Sequence, residues 1–390
     1  MLDSAIERIL SDDRIKRIIL TVFLLLAALS LFQGCKNAVM VSQDFQWDAA
    51  KAFTLRINPY DESLSPGGVL EKYGFEKYYL QMEANQFPSL LMLLIPFTFL
   101  PPLAARYVWL FCNLLFTAGI IILLRRTFLR DTDDFLFWFS VLFMISGTPY
   151  RNQLGVGQHT LFAFFFFLLA VYCLDMKGKK GFIAVTLSLF VCYFKYTLTV
   201  PLALWFVYKK RYKEIIASVI LHGVLTVFAA FWLKDSLINM ILKPLKVSSA
   251  LSSEGGIDLP AMLNGSPAAY VLSLMILLLL LVYAVKVTGY PDNEGLLISL
   301  LTLWSLVTVY HRTYDFFVLI ILTVLFSVDF EHKRKILCFY AVLMIYINYV
   351  LRIFSENPAS RAGAALLYYT FAVTISAAAV RKLTKNGQKS

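Results

Sequence analysis

Residues 18–40 read IILTVFLLLAALSLFQGCKNAVM, an apolar run long enough to cross the hydrocarbon core of a bilayer as a helix. Similar runs recur along the 390-residue chain, which is 59% hydrophobic and 16% charged. Soluble proteins are usually about 45–50% apolar and about 25% charged. The composition excludes a water-soluble enzyme, a disordered chain and a disulfide scaffold. We predict an all-α polytopic transmembrane bundle, one integral membrane domain over residues 1–390, with about 11–13 spans including half-helices.

The formal net charge of +11 comes from basic clusters between the apolar runs. They lie at residues 177–180, 209–213 and 332–335 and in the tail after residue 380. This positive-inside pattern marks cytoplasmic loops, so it predicts orientation and argues against a nucleic-acid partner. Both termini are expected to be cytoplasmic. The chain length and short loops favour a bacterial inner membrane.

Counting spans from a cytoplasmic N-terminus places two large loops on the outer, periplasmic side. Residues 41–87 form the first, which is more acidic than basic although the chain is basic overall. It contains an amphipathic stretch near Trp47 and a helix-stop signal at Asn58-Pro59, so we expect short juxtamembrane helices in it. Residues 234–266 form the second.

Three apolar runs do not fit simple alternation. Runs 88–100 and 135–147 are too short to span about 30 Å as helices, so at least one should be a half-helix or re-entrant segment. Run 181–208 is interrupted by Lys195 and Pro201, and basic clusters flank both of its ends. We expect it to go up and come back, with Lys195 at its outer turn. Broken helices in membranes line protein-enclosed or wet cavities, which is a first indication of a site.

The ionisable and polar residues that lipid does not explain collect at the predicted outer face. An ionisable group at membrane depth is costly, so it needs a partner or a function. The members of this set come from five separate places in the sequence and are Asp44, Asp48, Arg151, Gln158, His159, Lys195, His311, Arg312 and Asp315. We expect them to converge on one site.

Asp44 opens the first outer loop beside Phe45. A carboxylate next to an aromatic ring at the water–lipid boundary has raised basicity and can take a proton from a hydroxyl group. Alternatively, Asp44 is only the N-cap of the short helix that follows. The residues alone leave both interpretations open.

A family resemblance bears on this choice. The array Asp44-Phe45-x-Trp47-x-Ala49-Ala50-x-Ala52, followed by Asn58-Pro59-Tyr60, resembles the opening of the polyprenol-phosphate-sugar-dependent glycosyltransferases of family 87, mannosyltransferase-like members of the GT-C superfamily. Further pieces follow in the expected order over roughly residues 40–330. They are Phe87-Pro88, Leu100-Pro101-Pro102, Gly155-Val156-Gly157-Gln158, Lys195-Tyr196 before Pro201, and Tyr310-His311-Arg312 with Tyr314-Asp315. This chain has His159 where the family more often has Asn, and its Lys195–Pro201 spacing is wider.

The resemblance implies a GT-C-like fold and an inverting transfer of one sugar from a polyprenyl-phosphate carrier to an acceptor hydroxyl on the non-cytoplasmic face. The sugar would be mannose or a related hexose or pentose, and the acceptor a glycolipid or a growing glycan. The catalytic base of the superfamily is an aspartate shortly after the first span, which corresponds to Asp44. Asp48, four residues later on the same helical face, is the reserve base.

The phosphate of the carrier needs positive charge. Arg binds phosphate in a bidentate manner and Lys acts as a point charge, so Lys195, Arg312 and Arg151 are the candidates, with His311 as an additional donor. The alternative for each is an interfacial snorkelling charge. The candidates for contacts with sugar or acceptor hydroxyls are Gln158, His159, Trp47, Tyr60 and Tyr314.

No cofactor is expected. The four histidines have no metal-ligand spacing, and a divalent ion held by Asp44 and Asp48 is the weaker alternative. Two other functional classes remain open: a transporter or flippase of lipid-linked sugars, and an inactive scaffold. Transporters favour internal repeats and midplane sites, whereas the polar residues here gather at one face.

Overall fold

The computed structural model describes residues 11–65, 84–252, 258–259, 263, 266–287 and 294–327. Every regular element within these ranges is a helix, which confirms the predicted all-α polytopic bundle. The α-helices are α1 (Asp13–Met40), α2 (Trp47–Thr54), α3 (Pro59–Leu64), α4 (Pro88–Leu94), α5 (Pro102–Thr127), α6 (Asp134–Ser146), α7 (Thr148–Val156), α8 (Thr160–Tyr172), α9 (Gly178–Cys192), α10 (Tyr196–Tyr208), α11 (Tyr212–Leu233), α12 (Leu237–Ser252), α13 (Pro267–Val287) and α14 (Glu294–Thr308). Short 3-10 helices cover Gln43–Phe45, Ile95–Phe99, Cys173–Asp175 and Tyr193–Lys195, and a longer one covers Thr313–Ser327.

Helix α1 has the burial pattern of a membrane-exposed span. The Asp12 carboxylate caps its first turn by accepting hydrogen bonds from two backbone N–H groups. Its buried residues form one stripe of small side chains, Ala27, Ser30, Gly34 and Ala38. The remaining surface is apolar and exposed, with Phe32 73% accessible. Such a surface is stable in lipid and would aggregate in water.

Four helical stretches are long and apolar enough to cross a membrane, and a bent pair is a fifth candidate. The four are Asp13–Met40, Pro102–Thr127, Gly178–Tyr208 and Tyr212–Leu233, and the bent pair joins Thr148–Val156 to Thr160–Asp175 at 107°. These stretches support a membrane protein. The larger number of spans predicted from the sequence stays a prediction, since much of the C-terminal part lies outside the described residues.

The short run 135–147 belongs to a longer path. The rings of Phe23, in the first half of α1, and Phe139 lie 5.3 Å apart, and the Ser42 amide, just beyond the end of α1, donates to the Gly155 carbonyl (3.3 Å). Helices α6 and α7 therefore run in succession beside α1 in the same direction. Together they extend about as far as a full span.

The run 88–100 begins and ends at the same end of the bundle, as expected of a half-helix or re-entrant segment. Near its start, the Gln86 carbonyl accepts a hydrogen bond from the Tyr60 hydroxyl (2.9 Å). Near its end, the Phe97 carbonyl accepts one from the Trp47 indole (3.0 Å). Because both ends contact the short helices that follow α1, this segment enters and leaves at the same end of the bundle.

The run 181–208 turns back at Lys195, as predicted. Although the stretch is long enough to be counted as one span, an Arg211 N–H group donates to the Leu174 carbonyl (3.1 Å), so the end of α10 lies near the start of α9. A straight helix of this length would separate those ends by about 45 Å. The Lys195 backbone has non-helical angles (φ −104°, ψ 65°), which locates the turn.

These paths give the bundle two distinct ends. We call the end where α1 finishes and α2 and α3 lie the loop face, and the other end the basic face. The basic face carries the clusters at 177–180 and 209–213, together with Arg125 and Arg126 in the last turn of α5. The cluster at 332–335 and the C-terminal tail lie outside the described residues.

The two predicted outer loops meet at the loop face. Helix α12, in the second loop, is joined to α3 in the first loop by Lys243, whose ammonium group lies 2.6 Å from carboxylate oxygens of both Asp61 and Asp235. The Asn58 amide donates to Asp235 (2.9 Å).

Candidate functional site

A polar pocket lies at the loop face, between the first-loop helices and the turn of the α9–α10 hairpin. It has an empty volume of about 580 Å³ including its open mouth. Its walls are Asp44, Gln46, Asn85, Gln86, Gln158, Lys195, Tyr196, Thr197, Ser248, Tyr310, Arg312 and Tyr314. Five of the predicted site residues, Asp44, Gln158, Lys195, Arg312 and Tyr314, therefore lie together.

Asp44 is held in a strained turn. It lies in the 3-10 helix Gln43–Phe45, and the residues on either side of this helix, Ser42 and Gln46, have positive φ angles of 44° and 64°. Such angles are uncommon for residues other than glycine and are frequent at functional sites. The N-cap position of α2 is Gln46, not Asp44, and the Gln46 side chain makes no capping hydrogen bond. The N-cap interpretation of Asp44 is therefore wrong.

Gln158 orients the Asp44 carboxylate. Its amide nitrogen donates to Asp44 Oδ2 (3.2 Å) and to the Tyr314 hydroxyl oxygen (3.0 Å). Its amide oxygen accepts the backbone N–H of His159 (2.8 Å), which fixes which end of the amide faces Asp44. Tyr314 also hydrogen-bonds to Asp44.

A tight turn places Gln158 in this position. Gly157 has φ +70°, and a Cβ atom there would lie 2.5 Å from the Ser42 hydroxyl oxygen. Its carbonyl accepts a hydrogen bond from the Trp109 indole (2.7 Å). The Gly-Gln pair is thus required by the bend between α7 and α8, where only glycine combines this backbone angle with this close approach.

Burial raises the pKa of the Asp44 carboxyl above its ordinary value. The positive charges of Lys195 and Arg312 and the hydrogen bond with Tyr314 oppose this effect without cancelling it. A carboxylate with a raised pKa is a stronger base, as proton abstraction from a hydroxyl group requires.

Lys195 is a buried cation with a buried partner. Its ammonium nitrogen lies 3.6 Å from Asp315 Oδ1, and their side chains are 10% and 1% exposed. Asp315 is fixed in turn by the Thr160 hydroxyl and by His311 Nδ1 (3.0 Å). Lys195 Nζ also lies over the Tyr314 ring, 5.7 Å from its centroid. The lysine charge is thus held at the pocket wall.

Arg312 supplies the second cation of the pocket. Its Nε donates to the Tyr310 hydroxyl (2.7 Å), and the residue is partly exposed. Together with Lys195 it can neutralise a phosphate group in the pocket.

The two predicted histidines do not line the pocket but support residues that do. His311 is fully buried between Asp315 and Ser305, whose hydroxyl lies 3.2 Å from its Nε2. His159 is also fully buried, packs on the Trp109 ring at 5.2 Å and holds Gln158 through its backbone.

The structure places four other predicted residues away from the pocket walls. Arg151 donates to Gln33 Oε1 (3.2 Å) and Thr148 Oγ1 (3.3 Å). Asp48 is 4% exposed within α2. Trp47 and Tyr60 donate hydrogen bonds to the backbone carbonyls of Phe97 and Gln86, and Gln86 lines the pocket.

Sequence reasoning missed seven wall residues: Gln46, Asn85, Gln86, Tyr196, Thr197, Ser248 and Tyr310. They are uncharged, so neither topology nor the cost of buried charge drew attention to them. Their position in the sequence was the available signal, since six of the seven lie within three residues of Asp44, Pro88, Lys195 or Arg312. Among the described residues, no group of three His, Cys, Asp or Glu side chains is arranged to hold a metal ion.

Comparison with known proteins identifies the family. No curated protein and no solved structure matches the chain. The family model of glycosyltransferase family 87 matches residues 88–328, well over half of the chain. The match includes Gln158, Lys195 and Arg312 and begins after Asp44, so it carries no information on Asp44 itself. Since the matched region covers more than half of the chain and supplies eight of the twelve pocket-wall residues, the chain belongs to glycosyltransferase family 87.

Proposed function

We propose that this glycosyltransferase transfers a sugar with inversion from a polyprenyl-phosphate carrier to an acceptor hydroxyl, with Asp44 as the general base. The acceptor oxygen forms a bond to the anomeric carbon while the bond from that carbon to the phosphate oxygen breaks. The acceptor proton passes to Asp44, and the carrier leaves as a phosphate monoester. Inversion needs one base on one side of the anomeric carbon and a leaving group on the other.

The observation that carries this proposal is the composition of the pocket: one carboxylate of raised pKa, Asp44, shares it with two cations, Lys195 and Arg312. The carboxylate suits the acceptor proton, and the cations suit the phosphate. Gln158 and Tyr314 hold the base in position through hydrogen bonds. Asp48, the reserve base, is buried within α2 and does not line the pocket.

We further propose that the pocket faces the periplasm and that the N-terminus is cytoplasmic in a bacterial inner membrane. The support is the separation between the two ends of the bundle, since the described basic clusters lie opposite the pocket and cytoplasmic loops carry the excess of Lys and Arg. Cysteine labelling in intact spheroplasts tests this orientation. A cysteine introduced at Asp61, at the loop face, should react with an impermeant maleimide, and one introduced at Lys179 should not.

The donor we propose is a polyprenyl-phosphate mannose or a related hexose or pentose, and the acceptor is a glycolipid or growing glycan. We expect no cofactor, so transfer should persist in EDTA. Loss of transfer in EDTA with recovery on adding Mg²⁺ would refute that expectation.

The decisive experiment uses the purified full chain in nanodiscs with a synthetic polyprenyl-phosphate mannose and a neutral glycolipid acceptor. Wild type should transfer the sugar, Asp44→Asn should lose at least about 100-fold in rate, and Asp48→Asn should retain most of it. Equal activity of wild type and Asp44→Asn would refute the assigned base. Movement of the lipid-linked sugar across the membrane without transfer would favour the flippase alternative.

A further inference from the structure

The residues that line the pocket form two chemically different sets, which we call its two walls, and each set comes from a different part of the chain. Residues before position 160 supply the carboxylate and all four carboxamides: Asp44, Gln46, Asn85, Gln86 and Gln158. Residues after position 190 supply both cations and every hydroxyl group: Lys195, Tyr196, Thr197, Ser248, Tyr310, Arg312 and Tyr314. We call Gln46, Asn85 and Gln86 the amide wall, since Gln158 is already engaged with Asp44.

We propose that the amide wall is the acceptor subsite and that it binds the hydroxyl groups of a neutral sugar. This inference rests on the proposed function for its assignment to the acceptor. Carboxamides both donate and accept hydrogen bonds, as sugar hydroxyls do. An apolar alcohol would offer few donors to the buried Gln86 Oε1, which has no hydrogen-bond partner among the described residues, and leaving it desolvated is unfavourable.

The position of Asp44 argues for a neutral acceptor. Asp44 and the three amides line the same pocket, so a ligand bound to the amide wall shares that pocket with the proposed base. An anionic acceptor there would be repelled by Asp44 and would compete with the carrier phosphate for Lys195 and Arg312, whose charges also act on Asp44. The hydroxyl nucleophile must also lie beside the base, while the phosphate must lie beside the cations. The two walls therefore suit acceptor and carrier respectively.

The amide wall is held firmly by its surroundings. The fully buried Tyr60 donates to the Gln86 backbone carbonyl (2.9 Å), and the Phe87 ring packs on Tyr196 at 4.9 Å. The Gln86 amide nitrogen donates to Asn85 Oδ1 (3.1 Å), which links the two side chains. Among the described residues, Gln86 Oε1 has no hydrogen-bond partner although Gln86 is only 5% exposed. A sugar hydroxyl would supply a donor to this amide pair.

The test uses three small probes that differ in headgroup: octyl glucoside, octyl glucuronide and octyl phosphate. Binding to the full chain in nanodiscs is followed as the concentration-dependent rise in Tm, without any donor. Wild type should bind octyl glucoside and octyl phosphate, and should bind the glucuronide at least about tenfold more weakly because of the charge beside Asp44.

Variants in the two walls should weaken the binding of different probes. Gln86→Leu and Asn85→Leu should lower the affinity for octyl glucoside about tenfold and keep the affinity for octyl phosphate within about twofold. Arg312→Gln should lower the affinity for octyl phosphate about tenfold and keep that for octyl glucoside within about twofold. Gln46→Asn keeps an amide, is tolerated at positive φ and shortens the side chain, so it should fold and still weaken the glucoside. Gln33→Leu, an exposed position outside the pocket, is the control for loss of an amide.

Several results would overturn the inference: no binding of octyl glucoside by wild type, equal binding of glucoside and glucuronide, or amide-wall variants that weaken octyl phosphate instead. In the transfer assay, amide-wall variants should raise KM for the acceptor and not for the donor, and the opposite split would overturn the assignment. If wild type binds octyl glucoside through the amide wall but transfers no sugar, the proposed function fails and the neutral-sugar site stands.

Discussion

Lys195 Nζ lies 3.6 Å from Asp315 Oδ1 with both side chains buried, so the cation that faces the pocket has its partner behind it. Asp315 accepts hydrogen bonds from Thr160 and from His311, which fix it in place. A buried charge that loses such a partner is left uncompensated, which is strongly destabilising. Asp315 is therefore a positioning residue for Lys195, and His311 acts one step further from the pocket.

The first prediction concerns this ion pair. Asp315→Asn leaves the Lys195 charge buried without its counter-charge, and we expect a loss of about 3–5 kcal/mol in the free energy of unfolding. The double variant Lys195→Met/Asp315→Asn removes both charges and should recover most of that loss, because replacing a buried pair by apolar groups is often neutral. Sugar transfer should be absent in the double variant, because it lacks the lysine that we propose binds the carrier phosphate.

Thermal unfolding of the two variants in detergent, together with the transfer assay, checks this prediction. A double variant no more stable than Asp315→Asn would show that the stability does not come from the pair. Recovery of transfer in the double variant would show that Lys195 does not bind the carrier phosphate.

The second prediction concerns pH. Asp44 must be ionised to act as a base, and burial raises the pKa of its carboxyl. Activity should therefore fall as the pH falls through this raised pKa, at a higher pH than an ordinary aspartate of pKa about 3.9 would give. Gln158→Leu removes a donor to the carboxylate, which raises the pKa further, so the acid limb should move to higher pH.

Profiles of kcat/KM against pH for wild type and Gln158→Leu measure both effects. An acid limb that stays in place in the variant, with only a lower plateau, would mean that Gln158 positions the substrate and does not act on Asp44.

Charge and hydrophobicity predicted the turn at Lys195, because basic clusters at both ends of one apolar run require the chain to return. They do not decide which of the two short runs, 88–100 or 135–147, is part of a path across the membrane. The sequence of α7 is polar and so predicts no part of a membrane span, yet its Tyr150, Gln153 and Leu154 are buried against other helices. Periodicity and hydropathy describe contact with lipid, whereas this helix contacts protein.

The physical cost of charge near a membrane also explains which pocket residues could be predicted from the sequence. Asp44, Lys195 and Arg312 were identifiable because charge is scarce in this chain and costly near a membrane. The amide wall was not, since Asn and Gln carry no charge and are common in loops. The location of His311 behind Asp315 depends on how the 3-10 helix Thr313–Ser327 packs against α7 and α14, which the sequence alone does not specify.

The third prediction concerns Gly157. An alanine there must adopt φ +70° and brings its Cβ to 2.5 Å from the Ser42 hydroxyl oxygen. The left-handed angle alone costs about 1–2 kcal/mol, and the contact adds to it. Gly157→Ala should therefore lower Tm, and it should reduce transfer because Gln158 moves away from Asp44.

Gly223→Ala is the matched control. Gly223 lies inside α11 with nothing within 4 Å of an added Cβ, so the substitution should leave transfer intact and raise stability by about 0.4–1 kcal/mol. If both alanine variants behave alike in Tm and transfer, the bend between α7 and α8 does not require glycine.

The last prediction concerns the bridge between the two loops at the loop face. Burial alone would raise the pKa of Asp235, but hydrogen bonds from Lys243, Asn239 and the Ser236 amide outweigh it and lower the pKa. A carboxyl with a lowered pKa stabilises the fold above its unfolded pKa of about 3.9 and stops doing so as the pH falls through the lowered value. Lys243→Met should therefore lower Tm at neutral pH, and its deficit relative to wild type should shrink in acid. Lys246→Met, an exposed position three residues further along the same helix, should change Tm little at any pH. A deficit for Lys243→Met that is the same at pH 7 and in acid would assign it to lost packing of the lysine stem, and the ionic bridge would not be what joins α3 to α12.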